Sequence, residues 1–409
     1  MKKLALILLS LVFVGCNSNV SDGTNNDLDY NSAIYKVGQT SVNALGIYSL
    51  EKGNTDESSI IYFTDINSKD KIALCNNVSC THSDDTCTAY IKDPIATIFT
   101  DIEDRYIFTI QQENNAGDVY SKICRKDING ENHRDLFTLK SNQSFQIPNT
   151  FVQIGDMLYF GLDELDKELN FKSQIYALNI ITGESKLLMS FDKSVYLVSE
   201  RNNELILKEP ANLIPLNGSQ VDYDTKFYKF NTENGTFNEF YRDSFDINNK
   251  YERLSQFIIN ENNIYKISNK DKLVITKIDI DTLEESKIPL NKTLTSEYSF
   301  DPVIVFDDYI IIDYIEGKES KRIAVNISTG DISDLTLLIT GEDKRKAFIY
   351  PHFVMGDKIY VSHNSRLSTV KVTMSDGNMS DVNVTMLDRS FITKEDYLSN
   401  TPNYINFNN

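Results

Sequence analysis

Six times along this chain an apolar strand runs into a short polar turn of the form Asn/Asp-x-x-Thr-Gly-Glu/Asp, and this recurrence restricts the possible folds more than any other feature. The copies read ICRKDINGENHRDL from Ile123, YALNIITGESKLLM from Tyr176, YKFNTENGTFNEF from Tyr228, TKIDIDTLEESKI from Thr276, IAVNISTGDISDL from Ile323 and VKVTMSDGNMSDV from Val370. Their turn positions fall near Gly130, Gly183, Gly235, Glu284, Gly330 and Gly377, at steps of 53, 52, 49, 46 and 47 residues. Interleaved with them is a polar turn leading into an aromatic or β-branched strand. It reads IGDMLYF from Ile154, ENNIYKI from Glu261, FDDYIII from Phe306 and MGDKIYV from Met355, with looser copies at Glu103 and Asn202.

Glycine supplies the positive φ of a tight turn, and Asn or Asp bonds its own backbone there, so these are hairpin signals between strands. In the copy around Gly155 four strands are expected, at Phe151–Ile154, Met157–Leu162, Ser173–Asn179 and Ser185–Ser190. Four antiparallel strands in each ~45 to 50 residues make one blade of a β-propeller. A partial earlier copy, SSIIYFTDINSKDKIALCNN from Ser58, preceded by NALGIYSL from Asn43, brings the expectation to seven blades, with eight or six as alternatives. A pair of β-sandwiches or a solenoid fits less well, because sandwich strands recur every ~8 to 12 residues without a longer period. The C-terminal ITKEDYLSNTPNYINF from Ile392 fits either a short helix on an outer face or a closing strand.

The first residues, MKKLALILLSLVFVGCNSN, place two lysines before an apolar run, Leu4 to Val14, that is too short to cross a ~30 Å hydrocarbon core and reads as an export signal. Gly15 before Cys16 resembles the lipobox of bacterial lipoproteins, in which cleavage precedes a cysteine whose sulfur carries diacylglycerol. The expected organisation is a signal peptide at 1–15, a flexible polar tether at 16–31 beginning at lipidated Cys16, and a propeller domain at 32–409. Two acyl chains on one residue give lasting attachment, so the expected location is the extracytoplasmic face of the cell membrane. The formal charge of −18 becomes −20 once Lys2 and Lys3 are removed. Without a basic stripe such a surface repels phosphate backbones, so no nucleic-acid partner is expected.

Three of the five cysteines and one of the four histidines crowd into LCNNVSCTHSDDTCTAY, Leu74 to Tyr90. Cys75, Cys80, His82 and Cys87 form C-x4-C-x-H-x4-C, a donor set suited to a structural, tetrahedral Zn2+ held by one loop. The competing reading adds Cys124 to make four cysteines that pair as two disulfides outside the membrane, one of them stapling neighbouring blades. A closed four-ligand site has no position for a reacting water, so either role is structural. Behind a lipobox and an aromatic strand, this run resembles one carried by a group of Gram-positive surface lipoproteins with a predicted β-propeller domain. That resemblance implies a propeller and a surface location, and no substrate.

No G-x-S-x-G, H-E-x-x-H or phosphate-binding loop is present, and no catalytic residue is assigned. His133, His352 and His363 lack motif partners, and His352 with His363 reads as turn or surface residues rather than a second metal site. The pairs Asp307/Asp308 and Asp279/Asp281 sit at recurring turn positions and read as solvated turns rather than glycosidase carboxylates. The runs at Asp127/Asn129 and Asp279/Asp281 lack the remaining ligands of a calcium loop. The longest departure from the repeat, EPANLIPLNGSQVDYDTK from Glu209 to Lys226, is the best candidate for a binding surface. The expected function is therefore a membrane-anchored module that binds a protein, peptide or glycan at the envelope. The alternative is an extracytoplasmic polysaccharide hydrolase or lyase with acidic residues at the central channel.

Overall fold

Seven sheets, antiparallel but for one short parallel pair (Thr340–Gly341 on Asn364 and Ser365) in the last, follow one another along the chain, each built from a single contiguous segment, which makes a seven-bladed β-propeller. The computed structural model describes residues 34–407 except 35, 54–57, 78, 94–95, 116–117, 147–149, 169, 213–221, 246–253, 261, 270, 342–345, 374–378 and 406. The expected signal, Cys16 and all of the tether lie outside the described residues. Blade 3 shows the plan: Phe151–Ile154, Met157–Leu165, Phe171–Asn179 and Ser185–Phe191 pair in order as strands A to D, close to the bounds expected from sequence. An extra strand, Gln143–Phe145, joins the far end of strand B.

The recurring turns owe their form to one side chain each. Oδ1 of Asn179 accepts the amides of Ile181 and Thr182, each at 2.9 Å, and Asp65, Asn231, Asp279 and Asn326 do the same at the C–D turns of blades 1, 4, 5 and 6. Gly183, Gly235 and Gly330 follow with φ of 80°, 74° and 77°. In blade 5 the equivalent residue is Leu283, at φ 59°, one position before the Glu284 picked out by the sequence pattern. Its amide closes the same bond, to the Asp279 carbonyl, so the Asx turn forms there without glycine.

Blades are glued by rings and β-branched side chains. Phe99 and Phe108 of blade 2 meet Phe151 and Phe160 of blade 3 in one buried cluster, with Phe99 and Phe151 stacked at 4.7 Å. A second cluster joins blades 5 and 6 through Ile267, Ile275, Val305, Ile310 and Ile323. Each such side chain contributes on the order of 1.5–3 kcal/mol when fully buried, which accounts for the high aromatic and isoleucine content.

Because A, B, C and D alternate in direction, the A–B and C–D turns share one face of the disc, and the B–C and D–A connections share the other. The short, repeated turns all belong to the first face. The second carries the blade 4 insertion, of which residues 213–221 lie outside the described residues, and a long hairpin of blade 7, Lys358–Thr373 with Met379–Thr393. That hairpin differs from the sequence reading, which took the segment from Val370 as another C–D turn. It is a B–C ribbon whose two strands pair with each other out to Thr373 and Met379, with Leu367 and Met386 exposed, while Gly377 lies outside the described residues. The C–D connection of blade 7 is instead the helix Lys394–Leu398, after which Ile405 bridges Phe391 in the strand D place. Of the two readings of the C-terminal segment the helix is the one observed, and beyond it the described residues add a single isolated bridge.

Among the described residues no strand is shared between blade 7 and blade 1. The ring closes by packing of Val42 and Ile47 against Phe353, Tyr360 and Phe391. His352 lies in this region, 6% exposed, with Nε2 2.7 Å from the Ser362 hydroxyl and its ring among Tyr350, Tyr360 and the Arg389 guanidinium. Burial, reinforced by Arg389, pulls its pKa down from 6.5 to about 3. Between those values the unfolded chain binds the extra proton, so stability rises with pH across the window and is lost as pH falls below 6.5. The loss from this group reaches about 2 kcal/mol by pH 5. His352→Phe should flatten that part of the profile, read as urea-unfolding free energies at pH 7 and pH 5; an unchanged slope in the variant would assign the acid sensitivity to other groups.

Candidate metal centre

The outer strand of blade 1 is interrupted. Lys71–Ala73 pairs with Tyr62 to Thr64, the chain then leaves the sheet, and Tyr90–Ile91 returns to pair with Ser59 and Ile60. Ile61 holds both feet of the excursion, its carbonyl accepting the Leu74 amide at 2.9 Å and its amide donating to the Ala89 carbonyl at 2.8 Å. The loop so pinned carries Cys75, Cys80, His82 and Cys87, and the donor atoms of all four lie within 4.8 Å of one another. A tetrahedral Zn2+ with bonds of ~2.3 Å to sulfur has S···S edges of ~3.8 Å. The observed cluster is only slightly wider than that.

The surroundings suit thiolates. At each cysteine the sulfur accepts the amide of the residue two positions on: Asn77 for Cys75, His82 for Cys80 at 3.3 Å, and Ala89 for Cys87. The Thr88 hydroxyl adds a further bond to Cys75. His82 adopts φ 53°, a conformation that costs on the order of 1–3 kcal/mol for a side chain of this kind. That conformation brings its Nδ1 to 3.2 Å from Cys87 Sγ. Burial pushes the Cys87 thiol up to about 12, and the hydrogen bonds it donates to Cys80 and Cys75 add to the rise. Burial also opposes ionisation of Cys75, but the bonds it accepts from Asn77, Cys80, Cys87 and Thr88 outweigh that and lower its pKa.

Three thiolates, a neutral imidazole and a divalent ion would sum to one negative charge. The buried Lys126 ammonium of blade 2 lies beside Cys87 and donates to the Thr88 carbonyl at 2.7 Å, placing a compensating charge next to the loop. The Asn76 side chain donates to Glu131 at 2.6 Å from the same loop, so the cluster sits on the outer seam between blades 1 and 2. No sequence motif announced Lys126; its only signal was a charged pair, Arg125 with Lys126, ending an apolar strand, and both are buried.

Cys75, Cys80, Cys87 and Cys124 are all free thiols, and Cys124 keeps other company. On strand C of blade 2 its sulfur donates to Asp135 Oδ1 at 3.2 Å, and His133 Nε2 lies 3.2 Å from the same oxygen. Lys122 occupies the other carboxylate oxygen at 3.0 Å, so this second Cys/His/Asp group already holds a cation. His352 and His363 are not brought together, the former being bonded to Ser362 and the latter stacked on Tyr404 at 4.1 Å. Asp279 is an Asx-turn acceptor, Asp281 pairs with Arg201 at 2.6 Å, and Asp307 pairs with Lys394 at 2.5 Å, as solvated turn residues do.

No protein-family model matches the sequence, and no curated protein matches it. Solved structures do resemble it. A prolyl endopeptidase is similar at 10% identity and a TM-score of 0.50, over 88% of this chain and 55% of that one. This chain therefore spans about half of that enzyme's length. Oligogalacturonate lyase from Vibrio parahaemolyticus is similar at 12% identity and a TM-score of 0.47, over 85% of this chain and 87% of that one. The β-propeller domain of the Trilobed protease from Pyrococcus furiosus is similar at 7% identity and a TM-score of 0.42, over 87% and 97%. The likeness is one of fold. Activities do not transfer at such identities, because the same scaffold hosts unrelated sites.

Proposed function

We propose that this protein is a lipid-anchored, extracytoplasmic binding module: a rigid propeller, attached to the outer face of the cell membrane through Cys16, that presents one face to a protein, peptide or glycan of the envelope. We further assign Cys75, Cys80, His82 and Cys87 to a structural Zn2+ that fastens blade 1 to blade 2. The observation that carries the binding reading is the asymmetry of the disc. Two long departures from the repeat, the blade 4 insertion from Glu209 to Lys226 and the blade 7 ribbon, both belong to B–C connections and so rise from the same face. Loops on a rigid scaffold are where recognition concentrates.

The base of the blade 4 insertion is firmly built. Glu209, 2% exposed, accepts Lys193 at 2.5 Å, Lys226 at 3.0 Å and the Tyr228 hydroxyl at 2.6 Å, and Lys226 continues to Asp222 at 2.7 Å. A network of this kind fixes where the loop leaves and re-enters the sheet. Two measurements test the proposal. Cys16→Ala should move the protein from the membrane to the soluble fraction and abolish acyl labelling; undiminished membrane partition would overturn the anchor. The domain from residue 32 onward should bind isolated envelope glycan or protein, and replacing residues 211–221 by a two-residue turn should weaken that binding at least tenfold. Equal binding by the shortened variant would remove the face assignment, and release of new oligosaccharide ends from the glycan would replace the module with the enzyme.

A further inference from the structure

Between blades 4 and 5, next to the B–C connection that carries the insertion, lies a partly open cavity of about 190 Å³ lined by Tyr196, Val198, Lys208, Pro210, Phe227, Phe257 and Ile259. Tyr196, Lys208 and Phe227 are register partners across three adjacent strands of blade 4 and form one wall. Phe257 and Ile259, two apart on the inner strand of blade 5, form the other. At the strand B position where blades 2 and 5 place Ile110 and Ile267 to fill the gap between blades, blade 4 places Lys208. Blade 1 places Leu50 there, while blades 3, 6 and 7 place Gly161, Asp313 and Ser362, so blade 4 puts an amine at a position that the other blades fill with hydrocarbon, glycine, a carboxylate or a hydroxyl.

Lys208 has no carboxylate partner among the described residues. Its ammonium lies 5.3 Å from the centre of the Phe257 ring, and burial alone brings its pKa down to about 8. A partly buried cation with a ring beside it and no carboxylate among the described residues gives up some of its hydration, and an anion that entered the cavity would relieve that cost. Every other lining residue is aromatic, aliphatic or proline, so the cavity offers one positive charge against flat apolar walls. The volume decides the size of the guest, since ~150 Å³ is enough to hold a benzene ring. One cation matches one carboxylate, whereas a dianion such as a phosphate monoester would leave a charge unmatched.

We propose that this inter-blade cavity binds a small monocarboxylate with a flat, apolar body, its carboxylate on Lys208 Nζ and its body between Phe227 and Phe257. The site deepens the binding-module reading and rests on it, but it needs neither the lipid anchor nor the metal loop. Phenylacetate is the probe and phenylacetamide its neutral control, titrated calorimetrically into the domain from residue 32 onward. Phenylacetate should bind with a Kd on the order of 0.1–1 mM, as suits a ligand of this size. Lys208→Met keeps the length of the side chain and removes the charge; it should weaken phenylacetate at least tenfold, the scale of a charge-assisted hydrogen bond, while leaving phenylacetamide unchanged. Thermal unfolding of Lys208→Met should be unchanged or raised, since a partly buried charge without a carboxylate partner has gone, so lost binding cannot be laid to misfolding. Equal affinity for acid and amide, or an unchanged affinity in Lys208→Met, overturns the proposal. If phenylacetate fails to bind while the domain still captures its envelope ligand, the cavity is refuted and the binding module stands.

Discussion

Cys87→Ser is expected to strip the purified protein of one equivalent of zinc and to destabilise it by about 4 kcal/mol, the scale at which loss of a structural metal shows in a folded domain. Cys87 is the most buried of the four donors, at 3% exposure, and it meets both His82 and the hydrophobic cluster of blade 1. Removing it leaves two thiols and an imidazole around a vacated centre, with the Lys126 ammonium beside them and no anion to face. Hydrogen exchange should quicken in residues 74–91 and in the facing strands of blade 2, and remain as in the parent across blades 4 to 6. Metal analysis and thiol counting give the decision. One zinc per chain, with the loop thiols shielded until a chelator is added, supports the assignment. A metal-free protein whose intact mass is four hydrogens light would place Cys75, Cys80, Cys87 and Cys124 in two disulfides instead.

Asp313→Ala is expected to cost about 3–4 kcal/mol, because it leaves a guanidinium buried without its counter-charge. Arg322, 4% exposed on strand C of blade 6, forms a two-pronged bond to Asp313, Nε to Oδ1 at 2.6 Å and Nη2 to Oδ2 at 2.7 Å. Its remaining prong donates to the Ile349 carbonyl, and its plane lies 5.0 Å from the centre of the Phe348 ring, both on the approach to blade 7. Truncating Asp313 therefore weakens the blade 6 to blade 7 seam as well as blade 6 itself. Removing both charges, with Arg322→Met and Asp313→Leu together, should recover most of the loss, since well-packed hydrocarbon replaces a buried pair at little cost. Urea unfolding of the three proteins measures this. An Asp313→Ala protein within ~0.5 kcal/mol of the parent would mean that the Ile349 carbonyl and the Phe348 ring satisfy the arginine unaided.

The fold was legible because its punctuation is local. Asn179, Asn231 and Asn326 fold their own turns, and a side chain bonding two or three residues ahead leaves the same trace in sequence wherever it occurs. The partial first copy was readable for the same reason: Ser59–Asp65, the Asp65 turn and Lys71–Ala73 fall where expected. The turn of blade 5 was read to within one residue although Leu283 stands where other copies have glycine, and legibility failed where a connection changed its length, as in the blade 7 ribbon.

The candidate centre divides along the same line. Its four donors lie within thirteen residues and were readable as a set. Whether they converge depends on Ile61 pinning both feet of the loop and on Lys126 arriving from the next blade, and neither fact is written near the cysteines. Lys208 was still less visible. In sequence it ends an apolar run as a solvent-facing lysine would, and only the register that sets it opposite Tyr196 and Phe227, facing Phe257, shows it to line the inter-blade cavity.

The way the ring closes has a consequence for how the molecule comes into being. Blades 1 to 6 can each pair their strands as soon as their own segment has been synthesised, and each can rest on the blade made just before it. Val42 and Ile47 cannot: their partners, Phe353, Tyr360 and Phe391, are among the last residues to be made. Until then the first blade carries a bare apolar flank, and among the described residues no strand is exchanged to hold its place. Assembly should therefore run as a nearly finished arc that waits on a single late docking, the contact of greatest sequence separation and the slowest to form. In that interval the inner edge of blade 1 is the part of the chain most open to misassociation.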